Sequence, residues 1–166
     1  MKSKKIARYG LMLALIFTLT AAENMLPPLP LLPPGVKLGL SNIVTMYCVF
    51  YIGRAPAVGL NALKALFVTL TRAPVAGLLS LCGGMLSVCA VILLLFVFRE
   101  KLSYAAAGVS GACAHNIGQY AAASLLLGTP YLLYYLPVLL ISGVIMGTVT
   151  GTLLKVLLPV FKTPPS

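Results

Sequence analysis

The run from Val75 to Phe98, VAGLLSLCGGMLSVCAVILLLFVF, carries no charged residue and stops at Arg99-Glu100-Lys101. A helix needs about 20 apolar residues to cross the ~30 Å hydrocarbon core of a bilayer, and this run supplies them. Working outward, similar runs recur at about 56–71, 38–53 and 6–22 on one side and at about 103–127 and 131–157 on the other. Arg54-Ala55-Pro56, Arg72-Ala73-Pro74, Arg99-Glu100-Lys101-Leu102 and Gly128-Thr129-Pro130 separate the later runs. The pattern predicts an all-α, polytopic membrane protein: one transmembrane domain over residues 1–166, built as a bundle of six helices.

Bulk composition agrees. Of the residues, 60% are hydrophobic and 8% charged, with a mean hydropathy of +1.05, whereas roughly a quarter of a soluble domain is charged. The first run follows Met1-Lys2-Ser3-Lys4-Lys5 and resembles a signal peptide, with Thr20-Ala21-Ala22 as a cleavage candidate. Because more spans follow, we read it as a first transmembrane helix. The loop Pro27-Pro28-Leu29-Pro30-Leu31-Leu32-Pro33-Pro34-Gly35 cannot continue a helix and is expected to be extended and stiff.

The net charge of +10 sits at the ends of apolar runs rather than on one face, so it sets topology and does not imply nucleic acid. With the amino terminus inside, Lys2, Lys4, Lys5, Arg8, Arg54, Arg99, Lys101, Lys155 and Lys162 fall on the cytoplasmic side. Lys37 and Arg72 fall outside and Lys64 lies within the third span. The expected location is therefore the cell membrane, multi-pass, with both termini cytoplasmic.

Acidic residues are limited to Glu23 and Glu100, and there is no Asp. Carboxylate-pair hydrolysis, two-metal phosphoryl chemistry and calcium loops all need acidic clusters, so no enzyme activity, no metal and no cofactor is expected. Cys48, Cys82, Cys89 and Cys113 match no zinc or redox spacing and read as unlinked packing residues.

Polar residues within the spans are the candidates for function. Lys64 shares a helical face with Asn61, and a cation at that depth either snorkels to the surface or faces a site. His115 and Gln119 lie one turn apart with Asn116 beside them, three hydrogen-bonding groups that would be costly against lipid. Lys37 and Asn42 stand where the second span begins, near Glu23 at the end of the first. Glu23 either pairs with Lys37 or Arg72 or meets a ligand. The candidate binding set is Lys37, Asn42, Lys64, His115, Asn116 and Gln119. Its cations suit an anionic or strongly dipolar ligand, and its apolar walls a partly hydrophobic one. Small-residue ridges run along the last span (Gly143, Gly147, Gly151) and the first (Gly10, Ala14, Thr18), the second a candidate for docking a partner. Ser80, Gly83, Gly84 and Ser87 share a face of the fourth span, explicable by helix packing.

Three segments carry a resemblance: Pro34-Gly35-Val36-Lys37-Leu38-Gly39-Leu40-Ser41-Asn42, Gly83-Gly84-Met85-Leu86-Ser87 and Ala114-His115-Asn116-Ile117-Gly118-Gln119. In this order they resemble the bacterial Gx transporter family, also labelled heptaprenyl diphosphate synthase component I, from Glu23 through Tyr135-Leu136-Pro137. That family is grouped with the substrate-binding S components of energy-coupling-factor transporters. The resemblance implies a six-helix bundle taking up a small molecule, vitamin-like or isoprenoid, from outside. It also implies a transmembrane coupling protein and two ATPases as partners. The ridge of Gly10, Ala14 and Thr18 resembles the surface that meets the coupling protein, although it departs from a strict Ala-xxx-Ala pattern. The second label implies a membrane accessory role in isoprenoid or quinone metabolism; lacking Asp, the chain has no Asp-rich diphosphate site of its own.

Overall fold

A computed structural model describes residues 2–26, 39–128 and 134–161. Among these are six α-helices: α1 (Lys2–Met25), α2 (Leu40–Tyr51), α3 (Arg54–Thr71), α4 (Pro74–Phe98), α5 (Tyr104–Leu127) and α6 (Leu136–Phe161). A short 3-10 turn, Arg99–Lys101, joins α4 to α5. The helices run slightly beyond the expected spans at several ends, and α2 is shorter than its expected 38–53. The proline-rich loop, Lys37, Tyr131 and Lys162 lie outside the described residues.

Local chemistry explains the boundaries. Pro74 starts α4, where its missing N–H is harmless. Ser103 caps α5, its Oγ accepting the Ala106 N–H at 3.1 Å. Gly128 closes α5 at φ 62°, a left-handed conformation that glycine reaches without steric penalty, and donates its N–H to the Ser124 carbonyl.

Consecutive helices pack antiparallel, and glycines allow the closest approaches. A Cβ on Gly147 would lie 2.5 Å from the Val109 Cα and 2.6 Å from the Gly108 oxygen; one on Gly151 would lie 2.7 Å from the Ala105 Cα. The α6 ridge is therefore buried against α5 within the chain. Between α4 and α5, a Cβ on Gly118 would meet the Cys82 carbonyl at 2.7 Å. The α1 ridge differs: Gly10, Ala14 and Thr18 are all exposed, and a Cβ on Gly10 would meet nothing within 4 Å.

Helix α2 sits at the centre, touching α1, α3, α4 and α6. Its Ile43, Val44, Met46, Cys48 and Val49 join Met12, Ile16, Leu60, Val88, Val91 and Leu154 in the core. None of the four cysteines is disulfide-linked; Cys48 is buried and Cys89 is exposed.

Helices Ser3–Met25, Pro74–Phe98 and Leu136–Pro159 are long and apolar enough to cross a membrane. The expected six crossings are thus met in length and apolarity by three helices. At 12 residues, α2 is about 18 Å long, well short of the ~30 Å hydrocarbon thickness.

Candidate functional site

The brevity of α2 leaves its amino-terminal end inside the bundle. A Cβ on Gly39 would sit 3.6 Å from the Thr150 Oγ1, about 21 Å along α6 from its start at Leu136. A cavity of about 380 Å³ runs alongside α2, from Val49 and Val91 past this level to Asn24 and Arg72 at the end of the bundle where α1, α3 and α5 finish and α4 and α6 begin, and all six helices line it.

Five of the six candidate binding residues, Asn42, Lys64, His115, Asn116 and Gln119, line this one cavity; the sixth, Lys37, lies outside the described residues. Lys64 does not reach out to the surface. It is 6% exposed, and its Nζ donates to the Asn42 Oδ1 at 2.8 Å. Asn116 has a structural partner, its Nδ2 donating to the Leu139 carbonyl at 2.6 Å. On that same carbonyl the Ser142 Oγ also converges, at 2.8 Å. His115 and Gln119 face α4 across Gly83, where a Cβ would lie 2.6 Å from the Gln119 Cγ and 3.1 Å from the His115 Cε1.

Glu23 does not pair with Arg72, and Lys37, its other expected partner, lies outside the described residues. Its Oε1 accepts the N–H groups of Gly39 at 2.5 Å and Leu40 at 2.9 Å, and its Oε2 accepts the Ser41 hydroxyl at 3.3 Å. These donors belong to the first turn of α2, whose unpaired N–H groups and positive dipole end favour an anion. Gly39 holds φ at 75°, which shapes the chain entering this clasp. Glu23 thus ties the end of α1 to the buried start of α2 across a sequence separation that no local pattern encodes.

Asn61 emerges as more important than its place beside Lys64 suggested. It is 1% exposed, lines the cavity and faces Gly84, where a Cβ would lie 2.7 Å from its Cγ. Among the described residues its Nδ2 has no hydrogen-bond partner, and neither has the Thr20 Oγ1. The signal available in sequence was Gly84: a glycine opposite a polar side chain leaves room for it.

At the opposite end aromatic rings close the bundle. Phe50 meets Tyr104 edge-on at 5.2 Å, and the Tyr51 and Tyr104 hydroxyls hydrogen-bond. Among the described residues no three His, Cys, Asp or Glu side chains come together. The arrangement can bind and orient a small molecule.

Residues 12–157 match the family model for heptaprenyl diphosphate synthase component I. No curated protein and no solved structure gives a match. With nearly the whole helical region inside the matched segment, the chain belongs to the heptaprenyl diphosphate synthase component I family.

Proposed function

We propose that the chain is an integral membrane subunit that binds a small molecule in this cavity, as the S component of an energy-coupling-factor transporter does, and has no catalytic chemistry of its own. The observation that carries the reading is a cavity with polar side chains set among mostly apolar walls, to which every helix contributes, of a size suited to a small-molecule ligand. Charge placement supports an outward-facing mouth. Lys4, Lys5, Arg8, Arg54, Arg99, Lys101 and Lys155 belong to helix ends or turns remote from the mouth, where the positive-inside rule puts the cytoplasm. Six crossings follow on this reading, α2 among them as a short central helix with the cavity beside it. The exposed ridge of Gly10, Ala14 and Thr18 would then be the face offered to a coupling protein and its ATPases.

The family's name favours a second reading, a non-catalytic membrane accessory to prenyl diphosphate synthesis. Gentle extraction of the full chain, with mass spectrometry of retained small molecules and copurifying proteins, separates the two. A vitamin-like ligand, or a coupling protein with ATPases, supports uptake; a soluble prenyl synthase supports the accessory role. A preparation holding no small molecule, in which Lys64→Met leaves the copurifying proteins unchanged, would sink the proposed binding site.

A further inference from the structure

A second cavity, of about 170 Å³, lies on the side of α2 turned away from the binding cavity. Met12, Leu15 and Leu19 of α1 form one wall, Leu153 and Leu157 of α6 form the other, and α2 is the floor. Among the described residues that line it, Tyr47 is the one whose side chain carries a polar atom. Helix α1 packs against α2 and α3, whereas α6 packs against α5 and α2. The space between α1 and α6 is therefore a groove open to the outside of the bundle, with Leu153 exposed at its edge. In a membrane that outside is hydrocarbon.

The α1 wall continues beyond its apolar residues. Lys5, Arg8, Met12, Leu15 and Leu19 recur at three- and four-residue spacing, so they share one helical face. Two cations thus follow the groove toward the amino terminus, Lys5 about 10 Å along the helix from Met12. Both are exposed, and side chains of this kind lay their apolar stems along a helix while the charge reaches the head-group level. No acidic residue occurs in α1 before Glu23, which is bound to the start of α2 at the far end of the groove. The small-residue ridge of Gly10, Ala14 and Thr18 stands on a different face of α1.

Shape and charge select the occupant. One ~5.4 Å turn of a helix ~10 Å across fills roughly 420 Å³, more than twice the volume of the groove. Apolar cavities of this size take apolar guests rather than water. A single hydrocarbon chain is slim enough to lie between α1 and α6, and the cations at the end of the wall call for an anionic head.

We infer that this groove holds one acyl chain of an anionic phospholipid, drawn from the leaflet on the amino-terminal side, with its phosphate paired to Lys5 and Arg8. The site is separate from the binding cavity and does not depend on what occupies that cavity.

The chain has no Trp, so Leu157→Trp places a single fluorophore in the groove wall. Leu93→Trp, at an exposed position of α4, places one among ordinary boundary lipid. Each full-length variant is reconstituted in phosphatidylcholine vesicles containing dibrominated phosphatidylglycerol or dibrominated phosphatidylcholine, whose bromines quench the indole on contact. At Leu157→Trp the phosphatidylglycerol should be preferred about 25-fold, roughly fivefold for each cation. At Leu93→Trp the preference should be smaller. Adding Lys5→Gln with Arg8→Gln should abolish the preference in the groove. Lys155→Gln removes an exposed charge from the face of α6 turned away from Leu153 and Leu157, and should leave the preference unchanged. Should Leu157→Trp fail to fold, Leu153→Trp, at the exposed edge, takes its place.

Equal preference at the groove and at α4, a preference that survives loss of Lys5 and Arg8, or one lost equally with Lys155→Gln overturns the site. Absence of quenching in the groove by either lipid overturns it too, since protein would then fill or close the groove.

Discussion

Replacing Glu23 tests whether the buried start of α2 depends on a single carboxylate. In Glu23→Ala two backbone N–H groups and the Ser41 hydroxyl lose their acceptor. Glu23 is 8% exposed, so water replaces it poorly. Hydrogen bonds to a charged group contribute about 1.5–3 kcal/mol each; taking two, with partial rescue by water, the loss is about 3 kcal/mol. Cys48 lies on α2 and is 0% exposed, so its reaction with a thiol dye requires α2 to open. With opening as a pre-equilibrium, 3 kcal/mol corresponds to roughly 150-fold faster labelling. Glu23→Gln keeps a carbonyl acceptor and loses mainly the charge at the helix end, worth about 1 kcal/mol, or roughly fivefold. The measurement is made with Cys82, Cys89 and Cys113 replaced by Ala. Labelling of Cys48 at the parental rate in Glu23→Ala, or at one rate in both variants, would refute the clasp.

Other outcomes follow from the same geometry. Gly147→Leu drives a side chain into the Gly108 carbonyl and Val109 and should lower stability by about 1–3 kcal/mol or more. Gly10→Leu points into open space and should leave the isolated chain within about 0.5 kcal/mol of the parent; equal melting of the two variants in detergent would contradict this packing. Asn116→Ala should destabilise by about 1 kcal/mol through loss of the bond to Leu139, read as a lower melting temperature of the unliganded protein. A fluorescent protein fused after residue 166 should fluoresce, and alkaline phosphatase fused there should be inactive; the reverse result would invert the proposed orientation.

Much of the helix layout was legible because the chain punctuates itself. Pro56 and Pro74 stand in the first turns of α3 and α4, and Gly128 ends α5, so the boundaries are written as residues with fixed or unusual backbone angles. The intrahelical polar pattern also carried through: His115, Asn116 and Gln119 face the cavity with Lys64 and Asn42. Partnerships across the bundle were not legible. Nothing local says that Glu23 caps α2, or that Lys64 meets Asn42, because those pairs depend on the register between helices. The depth of α2 was hidden for the same reason. Its apolar run extends beyond the helix, and hydropathy does not reveal where within such a run the first helical turn begins.

That starting point fixes which side of α2 a guest would meet. Ser41, Asn42, Thr45, Met46 and Val49 line the cavity, and their spacing puts them on one helical face. With Glu23 holding the first turn, one residue inserted after Ser41 would swing the rest of that face by about 100°. The carboxylate that fastens the helix therefore also sets its rotation, and with it the chemistry of one whole wall.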